Sequence, residues 1–288
     1  IVDEIIIVDT GSKDKTKEIV KRYTEHVYDF EWTNHFADAR NFAFSKATKE
    51  YTLWLDADDV LLQEDQVKFL ELKKTLDSSV DSVQMKYVLA RNSQGVITSS
   101  LNRNRLVKTA NRFQWIGAVH EYVEVGGRII LSDVCITHQS NKEAKSDRNL
   151  KIYRKMKKEG REFTPRDLFY YGNECYDHQL YEEAIASYSN FLETEKGWFN
   201  DCIRACEQGA EAHIQLGNKK EAMNWVLRSF TYDMPRANLC CKLAFLFMEK
   251  QNYAQAIYWY KLAISSDLKS VEKSGGLVDY AYYTWLPH

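Results

Sequence analysis

The run Tyr51-Thr52-Leu53-Trp54-Leu55-Asp56-Ala57-Asp58-Asp59 is apolar and aromatic-rich and then stops abruptly in three carboxylates. An apolar stretch bounded in this way reads as a buried strand, and open α/β sheets bind ligands just past the carboxyl ends of their strands. Carboxylates crowded within a few ångströms repel one another unless a cation or strong donors compensate. A hard divalent ion such as Mg²⁺ or Mn²⁺, which prefers oxygen ligands and phosphates, is the natural occupant. The alternative is structural: Asp58 or Asp59 would cap a following helix whose apolar residues are Val60, Leu61, Leu62, Val67 and Leu70. One aspartate suffices for a cap, so three favour the cation.

Upstream, Ile5-Ile6-Ile7-Val8 is an unbroken β-branched run that ends in Asp9-Thr10-Gly11-Ser12. Such a run marks a strand covered on both faces, and an amphipathic helix is expected from about 14 to 23. Asp9 at the strand's end can accept hydrogen bonds from a nucleobase or sugar, or it can hold the turn and cap the helix. A short strand over 26–30 and a helix opening at Phe36-Ala37-Asp38-Ala39-Arg40-Asn41 lead into the carboxylate strand. Alternating strands and helices predict a mostly parallel sheet.

Taken in order and spacing, Asp9-Thr10-Gly11-Ser12, then Phe36 to Asn41, then Asp56-Ala57-Asp58-Asp59 resemble the nucleotide-sugar-binding half of family-2 glycosyltransferases of the GT-A fold. The resemblance implies that Asp9 touches the nucleobase or ribose, that Arg40 assists there or at the diphosphate, and that Asp56, Asp58 and Asp59 serve the cation, ribose and diphosphate. It also implies that the chain begins inside the family's second strand, with the first strand missing.

A helix over 64–76 and a strand over 81–89 follow, with turn chemistry at Arg91 to Gly95. The segment Trp115-Ile116-Gly117-Ala118-Val119-His120-Glu121 resembles one found in family-2 enzymes that carry helical repeats downstream, among them the peptide S-glycosyltransferases of sublancin type. Inverting sugar transfer needs a base for the attacking hydroxyl or thiol, and Glu121 is the first candidate, with His120 beside it. If this piece were extended, the two side chains would point to opposite faces. Glu121 could instead pair with Arg103 or Arg105. A strand-like stretch over 128–137 ends at His138, which the resemblance makes a further cation ligand.

A charged helix over about 141–159 is broken at Gly160 to Pro165, the expected domain boundary, giving residues 1–160 and 161–288. Beyond it the period changes. Tyr181-Glu-Glu-Ala184, Lys219-Lys-Glu-Ala222 and Tyr253-Ala-Gln-Ala256 recur with alanine spacings of 38 and 34 residues. Gly172, Ala210 and Ala244 each stand 12 residues before the aligned alanine. Tetratricopeptide repeats have a helix-turn-helix period of about 34 residues, so an all-α solenoid of about three repeats is expected. The start of another is read in the aromatic Tyr280 to His288. The extra four residues of the first interval are assigned to a turn near Lys196-Gly197. Tyr188, Trp225, Tyr258 and Trp259 are read as packing residues. Such stacks leave a concave groove for a peptide or partner.

With 44% hydrophobic and 28% charged residues among 288 and a net charge of -2, the composition is that of an ordinary globular protein, with no basic field for nucleic acid. No stretch has the apolar length of a membrane span, so a cytoplasmic protein is the default. Cys135, Cys175, Cys202, Cys206, Cys240 and Cys241 show no paired zinc spacing and read as reduced core residues.

These features add up to an inverting, metal-dependent transferase. It would move sugar from a nucleotide diphosphate, UDP-sugar being the donor class, to a peptide, protein or glycan acceptor, with a cysteine thiol among the candidates. The repeats would gather the acceptor or build a homo-oligomer. The competing reading is a non-catalytic repeat scaffold carrying a degenerate transferase domain.

Overall fold

The computed structural model describes residues 1–139, 146–274, 277–284 and 286. It divides into two compact units. The first comprises Ile1–Val88 with Asn102–Lys145, and the second Leu89–Leu101 with Ser146–His288.

In the first unit, β1 (Ile7–Asp9) pairs in parallel with β2 (Val27–Asp29), separated by the short helix α1 (Thr16–Val20). Helix α2 (Phe36–Lys46) leads to β3 (Tyr51–Leu53), which runs antiparallel to the later strand β6 (Ile97–Lys108). A tight turn after β3 carries the aspartates into β4 (Asp59–Val60), and α3 (Gln63–Thr75) follows. Strands β5 (Ser82–Arg91), β6 (Ile97–Lys108), β7 (Gln114–Ile116), β8 (Tyr122–Glu124) and β9 (Ile129–His138) complete the series.

The α/β domain followed by a helical array is as expected, but the sheet is mixed. β1 with β2 and β5 with β9 are parallel, while β3 with β6, β4 with β9, and β7 with β8 are antiparallel. The physical reason is that β5 returns into β6 through a tight turn at Asn92–Gly95 instead of a helical crossover. Asn92 closes that turn by accepting from the backbone N–H groups of Gln94 and Val96.

The cap alternative for Asp58 and Asp59 does not hold. Helix α3 begins at Gln63 with Leu62 at its N-cap position and no side-chain cap, and Val60 lies in β4. Ala37, Trp54, Val107, Trp115 and Val123 form a buried cluster beneath the carboxylate turn, with Phe44, Phe113 and Val125 packed against it. A separate cavity of about 390 Å³ lies between the amino-terminal strand and β3, lined by Ile6, Phe44, Tyr51, Leu53, Phe69 and Leu106 among others.

The second unit stacks α4 (Arg148–Lys158), α5 (Pro165–Asp177), α6 (Tyr181–Glu193), α7 (Phe199–Gln215), α8 (Lys219–Ser229), α9 (Ala237–Glu249) and α10 (Tyr253–Ile264), then α11 (Leu268–Lys273). Strand β10 (Val278–Asp279) joins the β6 end that belongs to this unit, opposite Ser100 and Ser99. The sequence held no signal for that pairing. The expected break at Gly160–Pro165 is the turn between α4 and α5, inside the helical unit. Thr164 and Asp167 form a reciprocal capping box that starts α5. Residues 141–145 of the expected charged helix, and Trp285, Pro287 and His288 of the expected terminal one, lie outside the described residues. Tyr280–Tyr283 form a 3-10 turn.

The repeat is written in the backbone as well as in the side chains. Gln179, Gly217 and Gln251, which occupy equivalent turns, all adopt positive φ, at 61°, 77° and 57°. In each case the next N–H reaches back to a helix carbonyl: Leu180 to Cys175, Asn218 to His213, Asn252 to Phe247. This is the left-handed C-cap geometry that satisfies orphan carbonyls at a helix end. The extra residues of the first interval do not sit in the turn near Gly197. They lengthen α7, which has 17 residues where α5 and α9 have 13.

Tyr188, Trp225 and Trp259 pack as expected, whereas Tyr258 is 62% exposed and is no core residue. Gly209 is the close-approach position that the alignment missed. A methyl group there would lie 2.1 Å from the Trp225 ring. Gly209→Ala is therefore expected to destabilise the chain by about 1–3 kcal/mol through overpacking, read as a lower midpoint in thermal or urea unfolding.

Candidate active site

Helix α2 and the loop after β7 are stitched together by three consecutive devices. The Phe36 N–H donates to the Ala118 carbonyl at 2.8 Å. Asn41 clasps the Trp115 backbone, donating Nδ2 to its carbonyl at 3.0 Å and accepting its N–H at 2.8 Å. Between them Arg40 donates Nε to Glu121 Oε1 at 2.5 Å and Nη2 to Asp56 Oδ1 at 2.7 Å. The guanidinium lies 5.0 Å from the Trp54 ring centre and 4.6 Å from that of Trp115, and the two rings meet edge to face at 4.7 Å. Two aromatic faces and two carboxylates thus fix one cation. Burial opposes the Arg40 charge, but Asp56 and Glu121 outweigh it and raise its pKa.

The stretch before Glu121 is bent, not extended. Gly117 and His120 both have positive φ, 108° and 50°, so strict alternation does not govern His120 and Glu121. Glu121 is 9% exposed, and among the described residues no hydrogen bond reaches its Oε2. Its partner is Arg40, neither Arg103 nor Arg105.

The second cluster depends on a two-residue strand. Asp59 sits opposite His138 in the antiparallel register of β4 and β9, and the Gln139 N–H donates to the Asp58 carbonyl at 2.7 Å. His138 Nδ1 consequently lies 3.6 Å from both Asp58 Oδ1 and Asp59 Oδ1, and 3.0 Å from the Tyr87 hydroxyl. One ligand atom each from Asp58, Asp59 and His138 falls within 4.8 Å of the others. Asp59 Oδ1 is buried without a hydrogen-bond partner, and an oxygen in that state is costly unless something cationic meets it. Two carboxylate oxygens and an imidazole suit Mg²⁺ or Mn²⁺, so the residues fit the ion.

Arg105 completes this cluster and was missed as a site residue. It is fully buried, bonds Asp59 Oδ2 at 2.8 Å, and is sandwiched between the rings of Trp54 at 3.9 Å and Tyr87 at 4.3 Å. Asp59 Oδ2 also accepts the Asp56 N–H at 3.1 Å. One Asp59 oxygen is thereby committed and the other is left facing His138. Burial, then the neighbouring Asp59 carboxylate, push the Tyr87 hydroxyl pKa well up, so it stays protonated. The available signal was Arg103-Asn104-Arg105, two arginines at alternate positions of a strand leading into the apolar Leu106-Val107.

Asp9 stands apart from both clusters, on the β1–β2 ribbon. Its Oδ2 accepts the N–H groups of Gly11 and Ser12 at 3.1 and 3.0 Å, with Lys17 Nζ at 3.5 Å. Burial opposes its ionisation, but the Ser12 and Gly11 hydrogen bonds and Lys17 hold its carboxyl below the usual range. It holds the turn.

In this chain a mixed-sheet unit whose strand end gathers two aspartates and a histidine precedes a helical array of tetratricopeptide type. Residues 2–130 match the Glycosyl transferase family 2 model, and the helical array follows that segment. The glycosyltransferase SunS of Bacillus subtilis strain 168 is 27% identical over 212 residues, covering 69% of this chain and 49% of SunS. A TPR repeat-containing protein of Synechococcus elongatus is 40% identical over 76 residues, covering 26% of this chain and 18% of that protein. The chain thus spans half or less of the length of these relatives. Staphylococcus aureus TarS 1–349 superposes on 88% of this chain and 79% of its own, at 14% identity and a TM-score of 0.34, too low to add to the argument. Among the described residues no helix is long and apolar enough to cross a membrane.

Proposed function

We propose that this chain transfers a sugar, with inversion, from a nucleotide diphosphate to a peptide, protein or glycan acceptor, UDP-sugar being the donor class. The observation that carries the reading is the convergence of Asp58, Asp59 and His138 on one point, supported by the family-2 match. Mg²⁺ or Mn²⁺ bound there would offset charge on the leaving diphosphate. Asp9 would meet the nucleobase or ribose through the oxygen its turn leaves uncommitted. Arg40 holds Asp56 and Glu121 in place. Glu121, fixed through Oε1, has Oε2 available for the proton of the attacking hydroxyl or thiol, while His120 is the alternative acceptor. The repeats gather the acceptor, and repeat-mediated homo-oligomers are a second use of the same surface.

Incubation with a panel of nucleotide sugars, read by mass spectrometry, tests this. Donor hydrolysis should disappear with chelator and return on adding Mn²⁺. No turnover and no donor binding at any Mn²⁺ concentration would instead favour the scaffold reading.

A further inference from the structure

Of the arginines around the carboxylate turn, two are committed. Arg40 spans Asp56 and Glu121, and Arg105 is locked against Asp59. Arg103 is different. It lies two residues before Arg105 on β6, close enough to oppose its charge, and β6 pairs with β3 so that Leu53 faces Leu106. The Trp54 N–H still reaches the Arg105 carbonyl, so Arg103 lies just beyond that pairing, at the end of β3 where the carboxylate turn begins. Its guanidinium rests 5.3 Å from the centre of the Tyr87 ring, and the Tyr87 hydroxyl in turn meets His138. Arg103 is partly exposed and forms no ion pair among the described residues.

An arginine stacked on an aromatic face is held in place while its N–H edge stays available, which is the arrangement suited to bidentate contact with phosphate oxygens. The charge around the turn gives it something to do. Asp56, Asp58, Asp59 and Glu121 outnumber Arg40 and Arg105, and a divalent ion would only restore neutrality. A diphosphate arriving there brings further negative charge, and more develops as the sugar leaves.

We propose that Arg103 is the side chain that contacts the diphosphate of the donor, acting alongside the cation held by Asp58, Asp59 and His138. The inference rests on the nucleotide-sugar reading above and assigns a residue to it that neither the motifs nor the family resemblance singled out. Arg105 cannot serve this purpose, because it is fully buried and spent on Asp59.

The experiment is calorimetric titration of the whole chain with UDP and with GDP in the presence of Mn²⁺. The tighter of the two is then compared with its nucleoside. Arg103→Met is expected to weaken diphosphate binding about 10- to 100-fold, the effect of one charge-assisted hydrogen-bonding group, and to leave nucleoside binding unchanged. Arg103→Lys should recover part of the loss, since it keeps the charge but not the fork. Binding of Mn²⁺ alone should not weaken in either variant, which separates phosphate contact from damage to the cation cluster. Diphosphate affinity within threefold of the parent in Arg103→Met, or an equal loss for the nucleoside, would overturn the inference alone. A parent chain that binds neither diphosphate would overturn the donor reading and the inference together.

Discussion

Asp58→Ala is expected to abolish Mn²⁺-dependent donor turnover and to leave the unfolding midpoint close to that of the parent. The side chain is 38% exposed and faces His138, so its removal takes a ligand from the cluster without emptying a buried site. Asp59 presents the opposite case. Its side chain is fully buried against the equally buried Arg105, and removing one partner of such a pair costs about 3–5 kcal/mol because the other charge is stranded. Asp59→Ala should therefore lower stability as well as activity. It is the more damaging substitution, the reverse of what a helix-capping role for Asp59 would give. Measuring donor hydrolysis and thermal unfolding on both variants separates the two roles. Full activity in Asp58→Ala would remove it from the cation site.

Glu121→Gln is expected to lower transfer to a hydroxyl acceptor by about 10²–10⁴, the usual effect of losing a general base. The amide keeps the shape and can still accept from Arg40 Nε, while Asp56 continues to hold Nη2. Donor affinity should consequently change little, and the loss should appear in kcat. With a cysteine acceptor, whose thiol is partly ionised near neutral pH, the drop should be smaller and should shrink as pH rises. An unchanged rate with a hydroxyl acceptor would transfer the role to His120. A matching rise in donor KM would show instead that Glu121 acts by anchoring Arg40.

Much of the architecture was legible because it is encoded locally. A β-branched run, an apolar strand ending in carboxylates, and alanines spaced at a helix-pair period all follow from interactions within a few residues. The repeat alignment found the small residues Gly172, Ala210 and Ala244, and even the turn glycine Gly217 has its counterparts in Gln179 and Gln251. Local patterns misled where a residue count had two solutions. Four extra residues fit a longer turn or a longer helix equally well, and the structure places them in α7.

The sequence by itself determined that three aspartates end a strand, that a transferase-type α/β unit precedes a helical solenoid, and that Arg40, Glu121 and His138 were worth watching. Only the tertiary structure decided which of them meet. Arg40 reaches Glu121 across 81 positions of chain and Asn41 reaches Trp115 across 74. Asp59 meets His138 because a two-residue strand settles into one antiparallel register. Nothing local specifies such pairings: a strand's alternation says which face is buried, and its register with a distant strand follows only when the whole sheet closes. The same closure buried Arg105 against Asp59 and left Arg103 two residues away on the ring of Tyr87. A strand reading of Arg103-Asn104-Arg105 could not have told these two arginines apart, because alternation places both on one face.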